Sequence, residues 1–583
     1  ARVGARLHAG LARASEGDSM ASNIQAQFDI LTSPGGPYEM VEVEMFGHSC
    51  RAFKNAPETL RDLYAETVSD AEFFIFEDER LTFQQSWDEA SRLGHALVNQ
   101  YGVSKGDRVA ISMRNYPEWI IAFMAVTSVG GIACALNALW QSDEIAFALN
   151  DSTPRVLIAD DERLKRTAGC ENLPADMQIV AVRCAPDLAP ALAGRTKSWE
   201  DVLAASETTM PDVDFGPNDE ATMLYTSGST GNPKGAVSSH RNVISALLSW
   251  ELDTFAAIGS GLFDTPDENQ QPVVLLGVPL FHVAGSHAVL LASFRAQRRV
   301  ISMYKWDVAE AARLIEAERV TQFVAPAAMT GDLASHARES GRDLSSLTLV
   351  GGGGAARAPE QVRRIKANLS TRPNTGWGMT ETNAIGTNIA GDDYLERPES
   401  SGRCSGVLDM RVVDEQGQPC ATGERGELQV RGASVIRGYW NRPDANAETF
   451  DGPWLRTGDV AYFDAEGFVY IVDRIKDLVI RGGENIGCGS VEAALLEFPG
   501  INEASVYGVP DERLGEEIGA TIHGPVAIDL TALDEFLASK LARFEIPRYV
   551  YFETAPLPRT ASGKILKRQL REDAISRLRT ADA

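Results

Sequence analysis

Residues 224–240, LYTSGSTGNPKGAVSSH, combine hydroxyl side chains, glycines and one lysine in the manner of a phosphate-binding loop. In the common P-loop a Gly-Lys-Ser/Thr sequence runs directly into a helix, whereas here Pro233 precedes Lys234. Pro233 has no amide hydrogen and disfavours helix at Asn232, and the residues after the lysine have the character of a second strand. The stretch therefore predicts a hairpin loop between two strands, followed by a helix that begins near His240.

Such a loop can surround the β and γ phosphates of a nucleotide with backbone amides and hydroxyl groups. The apolar strand that enters it and the lysine that ends it argue against a flexible Ser/Gly surface loop. The expected phosphate ligands are Thr226, Ser227, Gly228, Ser229, Thr230, Gly231 and Lys234.

Short apolar runs alternate with amphipathic helical runs on both sides of this loop. The pattern predicts strands within 107–113, 154–161, 320–326 and 344–354, and helices that begin near Pro117 and that span 306–318. This alternation indicates an α/β fold with buried, parallel-rich sheets.

The sequence pattern changes near residue 405, where short runs of alternating apolar and polar residues joined by tight turns predict an antiparallel β subdomain. Beyond it we expect a small, mobile α+β domain with helices at 490–498 and 530–544, a strand at 503–510 and a charged C-terminal helix. The predicted organisation is a large N-terminal domain, 20–475, made of α/β subdomains plus the antiparallel one, and a C-terminal cap, 476–583. Residues 1–19 are set aside as a disordered tail, a tag or a targeting segment.

The overall composition is that of a globular enzyme, with 44% apolar and 23% charged residues. Fifty-five basic and 81 acidic residues give a net charge of −26, which disfavours a nucleic-acid partner. Seven scattered cysteines without a C-x-x-C pair indicate a reduced, cytoplasmic protein, with organelle targeting by the tail as the alternative.

One uncharged stretch, residues 119–140, is long enough to cross a membrane. Gly130 and Gly131 divide it into a piece of helix length and a piece of strand length, so a buried helix followed by a strand is the prediction. We therefore expect no transmembrane segment. The sequence leaves the oligomeric state open, with a homodimer as the candidate assembly.

TSGSTGNPKG at 226–235 closely resembles the phosphate loop of the adenylate-forming superfamily, which comprises acyl- and aryl-CoA synthetases, luciferases and peptide-synthetase adenylation domains. The resemblance extends over roughly residues 60–575 and is strongest to the acyl-CoA synthetase or fatty-acid–CoA ligase branch. Further signatures follow in the family's order: GWGMTETN (376–383), GYWNRPDANAETF (438–450), WLRTGD (454–459), YIVDRIKDLVIRGGENI (470–486) and PRTASGKILKRQLR (558–571).

The resemblance implies an ATP-dependent ligase that needs Mg²⁺. A carboxylic acid would attack the α-phosphate of ATP to give an acyl-adenylate and pyrophosphate, and CoA would then displace AMP to form a thioester. No carrier-domain motif follows the last signature, which favours free CoA over a peptide-synthetase carrier as acceptor.

The same resemblance assigns roles to residues near the nucleotide. Lys564 would be the adenylation lysine that bridges the carboxylate and the α-phosphate, Glu381 the Mg²⁺-associated carboxylate, and Thr380 a donor to phosphate. Trp377, followed by Gly378 and Met379, would contact one side of the adenine, and Ala355 and Ala356 would line its other side. Asp459 would accept hydrogen bonds from the ribose hydroxyls, and Arg474 would be a second contact to the nucleotide. The alternative for Trp377 is a structural tryptophan of the core.

The acyl and CoA sites are implied with fewer residues. His282 matches a position beside the acyl pocket, with a core histidine as the competing interpretation, and Gly353 and Gly354 stand where side chains would narrow that pocket. Lys476 falls at the hinge about which the cap rotates in relatives. Gly482 and Gly483 would then line the passage of the pantetheine arm.

The glycines beside the acyl pocket lead to a medium- or long-chain fatty acid as the expected substrate. Two alternatives stay open at this point. One is an aryl-CoA ligase or another adenylate-forming enzyme, and the other is a non-catalytic nucleotide-binding sensor that keeps the fold.

Overall fold

The computed structural model describes residues 20–184, 192, 194–204, 206–226, 233–265, 267, 269–353, 359–369, 371–482, 484–560 and 563–581. The tail at 1–19, the loop residues Ser227 to Gly231, and Gly354, Ala355, Ala356 and Gly483 lie outside these ranges. Predictions that fall on them stay predictions.

The first third of the chain alternates strands with helices, as the sequence predicted. The strands are β1 (Met40–Met45), β2 (His48–Phe53), β3 (Glu72–Phe76), β4 (Glu79–Thr82), β5 (Arg108–Ser112), β6 (Ile132–Ala135), β7 (Val156–Asp160), β8 (Gln178–Val182), β9 (Thr196–Ser198), β10 (Glu220–Thr226) and β11 (Lys234–Ser239). The helices are α1 (Met20–Thr32), α2 (Leu60–Glu66), α3 (Phe83–Asn99), α4 (Pro117–Ser128), α5 (Ser142–Ser152), α6 (Asp161–Ala168), α7 (Trp199–Ala204) and α8 (His240–Gly259).

The middle of the chain continues the alternation and then becomes β-rich. Its strands are β12 (Val273–Leu276), β13 (Arg299–Ser302), β14 (Gln322–Val324), β15 (Leu349–Gly351), β16 (Arg372–Thr375), β17 (Thr387–Ala390), β18 (Arg403–Cys404), β19 (Leu408–Val413), β20 (Gly426–Gly432), β21 (Gly438–Tyr439), β22 (Phe450–Asp451), β23 (Trp454–Phe463) and β24 (Val469–Arg474). A π-helix at Ala284–Leu291 precedes α9 (Ala292–Arg295), α10 (Val308–Glu318), α11 (Ala327–Ser340), α12 (Pro359–Leu369), α13 (Gly391–Glu396) and α14 (Pro443–Thr449).

Two parallel-rich sheets carry most of the large domain. One has the strand order β21-β11-β10-β6-β5-β7-β8-β9, and the other has the order β18-β17-β16-β15-β14-β12-β13-β3-β4. Their central strands are buried runs of valine, isoleucine and leucine, which is the pattern of parallel strands covered on both faces by helices. The largest core extends through both sheets and includes Trp119 stacked on Phe123 at 5.2 Å.

The uncharged stretch 119–140 has the predicted structure. Helix α4 begins at Pro117, and its residues from Trp119 to Ser128 are all buried, after which β6 lies inside the sheet. Within the described ranges, no helix is long and apolar enough to cross a membrane.

The antiparallel subdomain is formed by β19, β20, β22, β23 and β24. Strands β23 and β24 are joined by a tight turn at 464–467, where Gly467 N–H donates to the carbonyl of Asp464 at 3.2 Å. This sheet places Asp459 and Arg474 opposite each other on the two strands. The predicted antiparallel texture after residue 405 is therefore confirmed.

The C-terminal part has a separate core. After a short 3₁₀ helix at Ile475–Asp477 come β25 (Val479–Arg481), β26 (Glu484–Ile486), α15 (Cys488–Glu497), β27 (Glu503–Asp511), β28 (Gly515–His523), α16 (Leu530–Ala538), β29 (Tyr549–Glu553) and α17 (Lys567–Ala581). Their buried side chains form a cluster around Val506, Ile518 and Leu537. The predicted cap elements are present, although the boundary at 475/476 itself stays a prediction.

One predicted cap helix is too long. The sequence predicts a helix over 530–544, but α16 ends at Ala538. Ser539 donates its hydroxyl to the carbonyl of Phe536 at 2.6 Å, and Lys540 N–H bonds the carbonyl of Leu537 with the shorter i to i−3 spacing. A local side-chain bond of this kind competes with continued helix, and apolar periodicity alone does not reveal it.

Candidate active site

The strands on either side of the predicted phosphate loop form an antiparallel pair. Strands β10 and β11 pair so that Thr226 is opposite Lys234, and the hydroxyl of Thr226 donates to the Lys234 carbonyl at 3.4 Å. Helix α8 begins at His240, where Ser239 caps the first turn together with Asn242. The strand–loop–strand–helix order inferred from Pro233 is thus confirmed, while the loop residues themselves lie outside the described ranges.

Glu381 lies beside this hairpin and is only 6% exposed. The hydroxyl of Tyr439 donates to its Oε1 atom at 2.7 Å. The ammonium nitrogen of Lys234 lies 5.2 Å from the centre of the Tyr439 ring. One tyrosine therefore connects the loop lysine with the buried carboxylate, and it is held there because β21 pairs with β11.

The backbone around Glu381 is held in a tight turn. Asn383 follows with a left-handed φ of 55°, which asparagine adopts more readily than most residues. Its side chain accepts from the hydroxyl of Ser238 at 3.0 Å and donates to the carbonyl of Ser434 at 2.9 Å. These hydrogen bonds to neighbouring segments thus fix the position of the turn that contains Thr380 and Glu381.

The glycine and methionine before this turn pack closely against it. A Cβ atom at Gly378 would lie 2.3 Å from the carbonyl oxygen of Ala384, so only glycine fits there. Met379 N–H donates to the hydroxyl of Thr382 at 3.1 Å. Both residues lie in the chain that leads from Trp377 to Glu381, as the resemblance implied.

Asp459 is the centre of a second group of predicted residues. It is 2% exposed, and the indole Nε1 of Trp377 donates to its Oδ2 atom at 2.7 Å. The Nε atom of Arg474 lies 2.6 Å from the other oxygen, Oδ1. Burial raises the pKa of Asp459, while the Arg474 charge and the Trp377 hydrogen bond act in the opposite direction.

Lys564 comes from the cap and completes the group. Lys564 keeps solvent-exposed surface, yet the protein around it lowers the pKa of its ammonium group. Burial is the main cause and the positive charge of Arg474 adds to it, whereas the carboxylates of Asp459 and Glu381 act in the opposite direction. Lys564 therefore lies within electrostatic range of Arg474, Asp459 and Glu381.

His282 lies close enough to this lysine to sense its charge. Burial, and then the Lys564 charge, lower the pKa of His282 to about 4, so its imidazole is neutral at pH 7. It precedes the π-helix Ala284–Leu291, a rare element that is frequent at functional sites. This position supports the site interpretation of His282 over that of a remote core histidine.

The glycines before Gly354 have a packing requirement of their own. A Cβ atom at Gly352 would lie 2.4 Å from the carbonyl oxygen of Ala325, and one at Gly353 would lie 2.4 Å from that of Gly376. Side chains are excluded here by neighbouring backbone. These glycines therefore do not by themselves indicate a wide acyl pocket.

The predicted hinge and CoA residues lie in the segment that follows β24. Lys476 is exposed within the 3₁₀ helix between β24 and β25. Gly482 is exposed at the turn of the β25–β26 hairpin and has a φ of +61°, so the turn alone accounts for glycine at this position. The N–H of Gly482 donates to the carbonyl of Leu514 in the cap at 2.8 Å.

Tyr439 is the functional candidate that sequence reasoning missed. It lies inside the signature GYWNRPDANAETF, which marked the segment but assigned no role to its tyrosine. The two-residue strand that positions Tyr439 is too short to be recognised by periodicity, and its partner lies about two hundred residues earlier in the chain.

The chain is similar to known proteins over most of its length. Residues 62–440 match the family described as AMP-binding enzyme, and residues 490–564 match the AMP-binding enzyme C-terminal domain. The long-chain-fatty-acid–CoA ligase FadD13 of Mycobacterium tuberculosis is 32% identical, over 85% of this chain and 93% of its own length. A feruloyl-CoA synthase of Amycolatopsis is 34% identical, over 84% of this chain and 93% of its own.

A solved structure adds a match in three dimensions. The O-succinylbenzoate coenzyme A synthetase of Bacillus subtilis, in complex with ATP and magnesium ion, superposes with a TM-score of 0.72 at 27% identity. The match covers 88% of this chain and 99% of that one. The similar proteins thus include ligases named for aliphatic and for aromatic acids.

Proposed function

Because the chain belongs to the AMP-binding enzyme family and is an AMP-forming acid–thiol ligase, we propose that it joins a medium- or long-chain fatty acid to CoA through an acyl-adenylate. The observation that carries the proposed site is that Lys564 lies within electrostatic range of Glu381 and of the Arg474–Asp459 pair, whose Nε and Oδ1 atoms are 2.6 Å apart. A sensor that had lost catalysis would have no need to keep the cap lysine next to these groups.

Adenylation brings two anions together, and the cleft is suited to that task. A carboxylate oxygen forms a bond to the α-phosphorus of ATP as the bond to pyrophosphate breaks. In our proposal Lys564 donates hydrogen bonds to the carboxylate and the α-phosphate and so reduces their repulsion. Two unit charges about 4 Å apart interact by roughly 4 kcal/mol at an effective dielectric near 20, which corresponds to about a thousandfold in rate.

The proposed magnesium ligand is Glu381. Its carboxylate is buried and one oxygen is committed to Tyr439, which leaves the second oxygen for a cation. Mg²⁺ typically takes one or two carboxylates together with phosphate oxygens and waters, so a single glutamate fits. When bound, the ion would neutralise charge on the departing phosphates, and Thr380 would donate to a phosphate oxygen.

The nucleotide would lie between the hairpin loop and Asp459. We propose that the ribose hydroxyls donate to Asp459, that adenine stacks on Trp377, and that Arg474 makes a second contact. The remaining proposed contacts are Thr226, Ser227, Gly228, Ser229, Thr230, Gly231, Lys234, Gly378, Met379, Ala355 and Ala356. Trp377 supports this arrangement because its hydrogen bond to Asp459 joins the adenine and ribose positions.

The thioester step requires a different presentation of the cap. We propose that the cap, 476–583, turns about Lys476 and brings Gly482 and Gly483 to the cleft. The CoA thiol sulfur would then form the thioester bond as AMP leaves. Gly482 is exposed, and its N–H donates to the carbonyl of Leu514 at 2.8 Å within the cap, so this bond would move with the cap as it rotates.

The fatty-acid assignment rests on the mycobacterial relative, and the 34% identical feruloyl-CoA synthase supports an aromatic acid as the second candidate. The test is thioester formation with ATP and CoA across a panel from acetate to stearate, together with ferulate, benzoate and succinylbenzoate. Fastest turnover with medium or long aliphatic acids would support the first candidate, and reaction with aromatic acids alone would exclude it. A cytoplasmic location and a homodimer are retained as proposals.

A further inference from the structure

The described residues next to Lys564, Thr560 and Gly563, are joined to it and to each other by hydrogen bonds. Thr560 N–H donates to the carbonyl of Lys564 at 2.7 Å, and Gly563 N–H donates to the carbonyl of Thr560 at 2.9 Å. Lys564 N–H in turn donates to the hydroxyl of Thr560 at 3.1 Å. Gly563 has a φ of +81°, a conformation that favours glycine.

Arg559 ties this loop to the cap sheet. Its Nη1 atom donates to the carbonyl of Gly563, the residue before Lys564, at 2.8 Å. Its Nη2 atom lies 2.6 Å from Oε1 of Glu503, at the start of β27. The other oxygen of Glu503 accepts from Leu557 N–H at 2.7 Å, so both oxygens of this carboxylate hold the same loop.

The large domain meets the loop at helix α11. A Cβ atom built on Gly563 would lie 3.8 Å from Cε of Met329 and 4.0 Å from Cβ of Ala328, both in the first turn of α11. Asp332 follows in the same helix and accepts from the indole of Trp306 at 3.1 Å. The loop therefore packs on the segment that carries Asp332.

The charges of the cap also affect the pKa of Asp332. Burial raises the pKa of Asp332, and the Trp306 hydrogen bond and the positive charge of Arg559 act in the opposite direction. The negative charge of Glu503 opposes Arg559 with a smaller effect. The attraction between Asp332 and Arg559 acts across the two domains. By contrast, Glu503 and Arg559 both belong to the cap and move with it.

We propose that Arg559 is a positioning residue for Lys564, that Glu503 orients its guanidinium, and that Asp332 attracts it when the cap presents the lysine to the nucleotide. The proposal rests on the proposed role of Lys564 in adenylation. Arg559 does not contact the reacting atoms. It acts by fixing the carbonyl that precedes the lysine, and its planar fork allows it to hold Gly563 and Glu503 at the same time.

The competing interpretation is an ion pair that only stabilises the cap. A stabilising pair would affect both half-reactions and the unfolding temperature alike. A positioning residue would affect adenylation, which uses Lys564, and would spare thioester formation from supplied acyl-adenylate. The two half-reactions therefore separate the interpretations.

The experiment compares Arg559→Gln with Lys564→Ala and with the control Arg577→Gln. Arg577 lies in α17 and pairs with Glu553 at 2.6 Å, the same length as the pair between Arg559 and Glu503. Adenylation is measured as exchange of labelled pyrophosphate into ATP with dodecanoate, or with the acid of the panel that reacts fastest. Thioester formation is measured with the corresponding acyl-adenylate and CoA, and unfolding is followed by thermal denaturation.

We expect Arg559→Gln to lower the exchange roughly 10- to 100-fold, the effect of losing charge-assisted hydrogen bonds, with thioester formation within about twofold of wild type. Arg559→Lys can pair with only one of the two partners, so it should fall between wild type and Arg559→Gln, and it keeps the test available if the glutamine variant does not fold. Asp332→Asn should lower exchange by several-fold, and Arg577→Gln should leave it unchanged.

Two results would overturn the proposal. One is equal loss of both half-reactions in Arg559→Lys and Arg559→Gln, which would show a structural role only. The other is unchanged exchange in both variants while Lys564→Ala is inactive. If Lys564→Ala itself retained full exchange, the proposed function of the lysine would fail first, and the positioning role with it.

Discussion

The hydrogen bond between Tyr439 and Glu381 offers a direct test of the proposed metal site. Tyr439→Phe removes only the hydroxyl and keeps the ring that lies 5.2 Å from the Lys234 ammonium. Glu381 then loses the donor that holds its Oε1 atom at 2.7 Å. Because this carboxylate is only 6% exposed, solvent replaces the donor poorly.

The size of the effect follows from the charge of the acceptor. A hydrogen bond to a charged group contributes roughly 1.5–3 kcal/mol, and losing it in the transition state alone slows the reaction roughly 10- to 150-fold. A carboxylate free to rotate also holds a cation less well. We therefore expect Tyr439→Phe to lower the maximal rate of adenylation and to raise the Mg²⁺ concentration needed for half of it.

The assay is acid-dependent pyrophosphate exchange measured across a range of Mg²⁺ concentrations. Tyr551→Phe, on strand β29 of the cap, is the matched control for loss of a phenolic hydroxyl outside the site. Tyr439→Ala removes the ring as well, and the lost cation–π contact should add roughly 0.5–1 kcal/mol. An unchanged rate and an unchanged Mg²⁺ dependence in Tyr439→Phe would refute the reasoning.

Three further predictions concern other parts of the chain. Burial raises the pKa of Asp253 to about 7, compared with about 4 in the unfolded chain. Between these two pH values the folded chain keeps a proton that the unfolded chain has lost, so the stability of the fold should decrease as the pH rises. Asp253→Asn should remove this decrease when thermal unfolding is compared at pH 5 and pH 8. Burial also lowers the pKa of Lys564, so adenylation should decline at a pH below the usual lysine value of about 10.4, and Lys564→Arg should move that decline upward in the pH–rate profile. Trp377→Phe removes one hydrogen bond to Asp459 and should raise the KM for ATP about 3- to 10-fold, whereas Asp459→Asn removes the negative charge and should raise it more. Equal KM values for the two variants in steady-state kinetics would contradict this order.

The fold was predictable where local chemistry is strong. Pro233 and the strand character after it were enough to predict the hairpin, and the helix start at His240 followed from them. The apolar run from Trp119 was long enough for a membrane helix, but Gly130 and Gly131 marked the break correctly. Buried parallel strands and their helices have periodicities that a single sequence reveals.

The parts of the site that involve long-range pairing were not predictable in the same way. Tyr439 contacts Glu381 because the two-residue strand β21 pairs with β11, and no local sequence pattern predicts such a pairing. The glycines near Gly353 suggested space for a ligand, whereas neighbouring carbonyl oxygens occupy that space. Glycine can be required either to leave space for a ligand or to let neighbouring backbone approach closely, and only the three-dimensional structure distinguishes the two reasons.

The identity of the products formed from ATP tests the central claim most directly. Purified protein incubated with ATP, Mg²⁺ and the acid panel, without CoA, should form AMP-linked acyl product and pyrophosphate only when an acid is present. Consumption of ATP without any acid, or formation of ADP and phosphate in place of AMP and pyrophosphate, would contradict it.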